Sequence, residues 1–220
     1  MATYFIADLH LYHKNIFKYE PCRQLDVLEY ILNTNQSADF AATKKWITDA
    51  INFENPDLYK VFESWNEMLI SRWNKVVRPC DTVYILGDLA LGNYDAVKNV
   101  LGCLNGRKIL VKGNHDNWSN IKYQDLGFEE VKPGPIFLDK YGYPCRQEVV
   151  GKRKNAKYVL SHVPLTAETL LEYKIKYGVE CNIFGHIHSK GLCCNYPQVC
   201  VSAEVINSTP ISLNNFRFIR

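Results

Sequence analysis

Hydrophobic residues in this chain gather in short unbroken runs, and between the runs they recur every three or four positions. The runs at residues 3–7, 82–86, 108–111, 158–160 and 182–184 are largely apolar on both pleat faces and read as buried strands. Shorter closing strands are expected at 199–202 and 211–218. Between the runs, residues 23–33 place Leu25, Leu28, Ile31 and Leu32 on one helical side. Residues 58–77 form the clearest helix, with Val61, Phe62, Trp65, Met68, Leu69, Arg72, Trp73 and Val76 at three-and-four spacing, a stripe that reads as core. Helices are also expected at 94–104, 166–176 and 40–53, the last followed by Asn55-Pro56-Asp57, a stop and then a start. Residues 13–16 read as loop. The Pro- and Gly-rich stretch 128–150 holds two strand-like fragments, 135–138 and 147–150, that suggest a hairpin. A basic turn follows at 151–157.

Composition narrows the class without naming a chemistry. A length of 220 residues fits one domain, with a helical insertion expected at about 34–57. The hydrophobic fraction of 47% and charged fraction of 22% are those of a soluble globular protein, and a formal charge of +3 does not by itself argue for nucleic acid. No secretory signal is visible at the start, and no apolar run reaches the ~18 residues that span a bilayer, so a cytoplasmic protein with no membrane partner is expected. The eight cysteines lack Cys-x-x-Cys spacing and read as reduced, small buried hydrophobes.

Polar chemistry concentrates where the strand-like runs stop. The five endings are Asp8 with His10, Asp88, Asn114 with His115, His162, and His186 with His188. Five of the six histidines fall there, and His13 lies just beyond the first ending. A single His or Asp after a strand is ordinary capping, but core histidines would scatter through helices and strand interiors, and these do not. In α/β sheets, ligands sit beyond the carboxyl ends of strands. Imidazole, carboxylate and amide oxygen, with no thiolate, suit divalent ions such as Mn, Fe, Ni, Zn or Mg. The donors exceed the roughly four that one tetrahedral ion takes, so two divalent metal ions fit them better.

The ordered blocks Asp-x-His, Gly-Asp, Gly-Asn-His-Asp, His and Gly-His-x-His, spanning Asp8 to His188, resemble the calcineurin-like metallophosphoesterase superfamily. The resemblance is closest to its small bacterial and phage members, which share His-Lys-Asn-Ile at 13–16, a Trp-Asn-x-x-Val helix as at 73–77, and a tail similar to Val201-Ser202-Ala203-Glu204-Val205 through Leu213. It implies an α/β (α+β) fold: a four-layer αββα sandwich of two mixed β-sheets flanked by helices, with the dimetal site at the strand ends. It also implies that Asp8, His10 and His188 hold one ion, that Asn114, His162 and His186 hold the other, and that Asp88 bridges them. His115 would stand beside the ions as general acid. The implied reaction is hydrolysis of a phosphodiester or phosphomonoester, the diester favoured, by a metal-bound hydroxide. The alternative is a non-catalytic metal-binding scaffold on the same fold.

One position departs from the pattern. Protein-phosphatase members carry an Asp three residues after the Asp of the second block; here Leu91 stands there with no Arg following, which argues against a protein phosphatase. Asp116 reads as a structural residue of its turn. The expected substrate is a phosphorylated small molecule, a nucleotide or a nucleic-acid end. Arg23, Lys112, Arg107 and Lys190 are candidate phosphate contacts by their closeness to the blocks, and His13 either reaches substrate or caps its loop. The insertion at 34–57 is expected to lie over the site.

Overall fold

The structure is a computed structural model describing residues 1–145, 155–193 and 197–218. Its strands are β1 (Thr3–Ile6), β2 (Thr82–Ile85), β3 (Arg107–Val111), β4 (Phe128–Lys132), β5 (Ile136–Leu138), β6 (Tyr158–Leu160), β7 (Cys181–Phe184), β8 (Gln198–Cys200) and β9 (Ile211–Ser212). Its α-helices are α1 (Ile16–Tyr19), α2 (Cys22–Thr34), α3 (Phe40–Phe53), α4 (Leu58–Val76), α5 (Tyr94–Gly102), α6 (Asn120–Asp125) and α7 (Ala167–Tyr177). One sheet runs β4-β3-β2-β1-β9 and the other β5-β6-β7-β8. Both are mixed: β9 is antiparallel to β1 and β5 to β6, while the other pairs are parallel.

The layers follow from the two-residue period of the strands. Phe5, Tyr84, Ile109 and Val111 of the first sheet meet Leu138, Leu160, Ile183 and Val199 of the second in a buried intersheet core. Their neighbours Ile6, Val83, Ile85 and Leu110 point the other way, into a larger core with α4 and its companions. On the outer face of the second sheet, Phe137 and Val159 pack against Leu170 of α7. The result is the expected four-layer αββα sandwich.

Parallel β1 and β2 need a crossover, and here it carries α1 to α4. Helix α4 buries Val61, Phe62, Trp65, Met68, Leu69 and Trp73, as its spacing predicts. Arg72 of that stripe instead turns outward to Asp26 and Asn207. Helix α3 packs on α2 and α4, and the residue after it, Glu54, pairs with Lys14 and Lys18 of the first loop.

Several local expectations change. Residues 16–19 form helix α1. Residues 211–218 give a two-residue strand and then a 3-10 turn over Leu213–Phe218, so the closing strand is shorter than its apolar content suggests. Phe128–Lys132 extends the first sheet as a parallel edge strand, and the fragment at 135–138 pairs with β6. The expected second hairpin arm at 147–150 lies outside the described residues, as does most of the basic turn at 151–157. Of the cysteines, Cys181 and Cys200 are buried as predicted, but Cys80 and Cys103 are exposed; Cys194 lies outside the described residues. Among the described residues no helix is long and apolar enough to cross a membrane.

Candidate metal centre

The carboxyl ends of β1, β2, β3, β6 and β7 converge on one edge of the sandwich. The chain beyond β1 links the two sheets there: Ala7 N–H donates to Val201 O at 2.8 Å and Ala203 N–H to Ala7 O at 3.0 Å. This sets Asp8 beside Gly185-His186, where a Cβ on Gly185 would collide with the Asp8 carboxylate. Five of the clustered residues have left-handed backbone: Asp8 (φ 57°), His10 (46°), Asp88 (52°), His186 (72°) and His188 (50°). Such conformations cost about 1–3 kcal/mol each and persist only where neighbours impose them. The neighbours are visible: Asp8 N–H donates to Gly87 O, His10 N–H to Asp88 O, and His186 N–H to Asp8 Oδ2, at 2.8–3.0 Å.

Two groups of donor atoms result. In the first, ligand atoms of Asp8, His10 and His188 lie within 4.8 Å of one another. Asp8 Oδ2 accepts from Ser202 Oγ at 2.7 Å and from His186 N–H, which leaves Oδ1 buried with no partner. Both ring nitrogens of His10 are also buried and unpartnered. In the second, Asp88, His162 and His186 come within the same distance. His162 Nδ1 faces Leu86 O at 2.8 Å, which assigns the proton to Nδ1 and leaves a lone pair on Nε2. That lone pair meets Asn114 Oδ1 at 2.9 Å, His186 Nδ1 at 3.2 Å and Asp88 Oδ2 at 3.4 Å. Asp88 joins the groups, since the same Oδ2 lies 3.7 Å from His10 Nε2.

Buried polar atoms are ordinarily hydrogen-bonded. Here lone pairs converge without donors, and imidazole, carboxylate and amide oxygen make up the set. The residues present therefore fit divalent cations.

The electrostatics carry the same strain. Burial pushes the Asp8 carboxyl up to about 6. Burial, with the charges of Arg23 and His188, pushes His10 well below the usual imidazole range. Burial would also raise Asp88, but His162, the His115 N–H and His10 outweigh it and hold the carboxyl down. His188 is raised because its hydrogen bond to Glu204 outweighs burial.

Behind the first group stands a pair that the strand-end pattern does not reveal. His188 Nδ1 lies 3.2 Å from Glu204 Oε1, and Arg23 donates to the same oxygen at 2.5–2.6 Å. Arg23 also donates to Leu9 O and Asp8 O and lies over Trp65 at 4.7 Å. With its side chain 1% exposed, Arg23 is not a phosphate contact; it braces the first loop from inside. Glu204 and Ser202 carry a faint sequence signal, the tail Val201-Ser202-Ala203-Glu204-Val205.

Other expectations sort similarly. Arg107 sits at the opposite end of β3, bidentate to Glu129, and cannot reach the cluster. Lys112 gives its ammonium to Trp118 O at 2.9 Å. Lys190 is exposed on the turn after His188. The His13 ring lies tilted beside that of His10, centroids 5.3 Å apart, with its Nδ1 buried and unpartnered. His115 has a side chain 46% exposed, its ring 4.0 Å from Asp88 Oδ2, and its N–H on Asp88 Oδ1 at 2.9 Å. Leu91, where a carboxylate would support that ring, is 42% exposed. Asp116 is the structural residue expected: its carboxylate accepts from the N–H groups of Asp88, Leu89 and Gly113 and ties the second and third loops together.

Comparison with known proteins gives a consistent result. The calcineurin-like phosphoesterase family profile matches residues 1–190. An uncharacterized protein of Methanocaldococcus jannaschii is 29% identical over 96% of this chain and 86% of its own length. The gene 66 protein of Mycobacterium phage L5 is 32% identical over 66% of this chain and 77% of its own. A crystal structure of an Aquifex aeolicus protein of unknown function superposes with a TM-score of 0.61 at 24% identity, covering 100% of this chain and 99% of that one, which shows the fold alone.

Proposed function

The chain belongs to the calcineurin-like phosphoesterase family, and from that premise we propose that it hydrolyses phosphodiesters at a two-cation centre. Asp8, His10 and His188 would hold one cation and Asn114, His162 and His186 the other, with Asp88 shared between the two groups. The observation that carries this reading is the pair of donor groups joined through a single Asp88 oxygen. Bound divalent cations would draw charge from the phosphate oxygens and make water acidic enough to attack near neutral pH.

The chain's own groups do the rest. Asn114 and the imidazoles, by placing the cations, would set where the phosphate sits. His115, half exposed on the open side and anchored through its backbone to Asp88, is placed to give a proton to the departing oxygen, help worth about 10²–10⁴ in rate. A diester is favoured over a monoester because Arg23, Lys112 and Arg107 are committed elsewhere, which leaves exposed Lys190 as the remaining cation of that set to meet a second phosphate charge.

Bis-p-nitrophenyl phosphate and p-nitrophenyl phosphate, offered with Mn, Fe, Ni, Zn or Mg to metal-stripped protein, test this. Faster turnover of the diester, Mn favoured, is expected. No hydrolysis above background with any ion would remove the enzymatic reading, and preference for the monoester would remove the diester assignment.

A further inference from the structure

Beside the second donor group opens a cavity of ≈ 450 Å³ that the hydrolysis itself does not require. Asn114 and His162 belong both to that group and to the cavity lining, so the cavity adjoins where an ester arm of a phosphate held there would lie. Its volume is in the range of small-molecule sites, about 300–1,000 Å³, and far exceeds what a methyl or a bare oxygen would fill.

The walls indicate what that arm is. Pro133, Pro135 and Pro164 line it with flat, rigid rings, together with Tyr173, which is held by Phe137 and Tyr177 at centroid distances of 5.3 and 5.6 Å. The wall carries no carboxylate. Lys112 is its one charged residue, and the Lys112 ammonium is already bonded to Trp118 O. Polar capacity remains at Thr166 and Thr169, whose hydroxyls face each other at 3.1 Å while Thr166 Oγ1 accepts the Thr169 N–H. Thr166 also donates to the Glu168 carboxylate, so both hydroxyl protons are engaged and the pair offers a ligand hydroxyl lone pairs that accept. A flat-walled cavity of mostly apolar lining, with a few hydroxyl contacts and one ammonium already hydrogen-bonded, suits a planar ring bearing hydrogen-bonding edges. For a second phosphate or a carboxylate it offers only the Lys112 ammonium, already bonded to Trp118 O.

We propose that this cavity binds the nucleoside arm of the substrate, which makes the chain a nucleotide-directed phosphodiesterase. The inference rests on the phosphoesterase reading above. Thr169 and Val163 lie on different walls, at α7 and at the loop after β6, and either can be enlarged to fill the space. Val163 is 49% exposed, so its enlargement disturbs little packing.

Calorimetric titration of the manganese-loaded protein tests the pocket without turnover. Orthophosphate, ribose 5-phosphate and a nucleoside 5′-monophosphate are compared on the wild type, Thr169→Phe and Val163→Trp, each variant first checked for an unchanged circular-dichroism spectrum. The nucleotide should bind about tenfold or more tighter than ribose 5-phosphate, equivalent to about 1.4 kcal/mol, and the ratio should fall toward one in both variants. Equal binding of the nucleotide and ribose 5-phosphate to the wild type would overturn the proposal, as would a preference that survives both variants. If no phosphate compound binds and bis-p-nitrophenyl phosphate is not cleaved, the phosphoesterase reading itself has failed, and the pocket assignment with it.

Discussion

Glu204 Oε1 lies 3.2 Å from His188 Nδ1 while also accepting from Arg23, so one buried carboxylate orients a donor imidazole and neutralises the guanidinium that braces Asp8 and Leu9. Partners of this kind fix ring orientation, and losing one typically costs about 10–100-fold in metal affinity. Glu204→Gln should therefore weaken binding of the first cation by that factor while leaving the second in place. It should also lower stability by about 3–5 kcal/mol, because Arg23 is left as a buried unpaired charge. Metal titration followed by calorimetry reads the first effect and urea denaturation the second. Two undiminished binding steps would contradict the orienting role.

The acidity of Asp8 makes a prediction for the metal-free protein. Its folded-state carboxyl titrates at about 6, against an ordinary 3.8. The folded state therefore holds a proton that the unfolded chain has released. Stability from this group is fully present below about 3.8 and is lost as pH rises through about 6, an effect on the order of 3 kcal/mol. Metal-free protein should thus lose melting temperature between pH 4 and 6.5 through this group, and Asp8→Asn should flatten that part of the profile and raise Tm at pH 7.5. Added manganese should rescue the wild type and not the variant. A steeper loss of stability in Asp8→Asn would reverse the assignment.

His115 and Asp88 should separate chemistry from binding. His115→Ala should keep both cations and lose about 10²–10⁴ in kcat on a diester with a poor leaving group, with less loss on p-nitrophenyl esters, which need little acid help. Asp88→Ala should lose cations and turnover together. Near-wild-type kcat of His115→Ala on the poor leaving group would exclude it as the acid.

Gly185 tests how tightly the loops must interlock. A Cβ there would meet the Asp8 carboxylate and the Ala7 side chain. Gly185→Ala should displace Asp8 and cost cation affinity at the first group along with about 1–3 kcal/mol of stability, as overpacking does. Unchanged metal binding would show that the loop gives way cheaply.

Much of this centre was legible from the chain because strand ends are legible. Short apolar runs mark β1, β2, β3, β6 and β7, and the polar residues just after them fall together because parallel strands deliver their carboxyl ends to one edge. What stayed hidden depends on direction. Arg23 sits on the amphipathic stretch of α2, and nothing in its spacing shows that its side chain turns inward to Glu204, 181 positions away. Lys112 adjoins Asn114 in sequence, yet its long side chain runs to Trp118. Helix α1 is too short for periodicity to register. The left-handed backbone at Asp8, His10, Asp88, His186 and His188 leaves no mark at all, because it is imposed by bonds between loops distant in sequence.

The central claim is that these seven residues form one two-cation centre joined by Asp88. Anomalous scattering from crystals grown with manganese and orthophosphate tests it most directly. Two manganese peaks about 3.5–4 Å apart are predicted, one against Asp8, His10 and His188, the other against Asn114, His162 and His186, with Asp88 touching both. A single peak, or peaks away from Asp88, would contradict it.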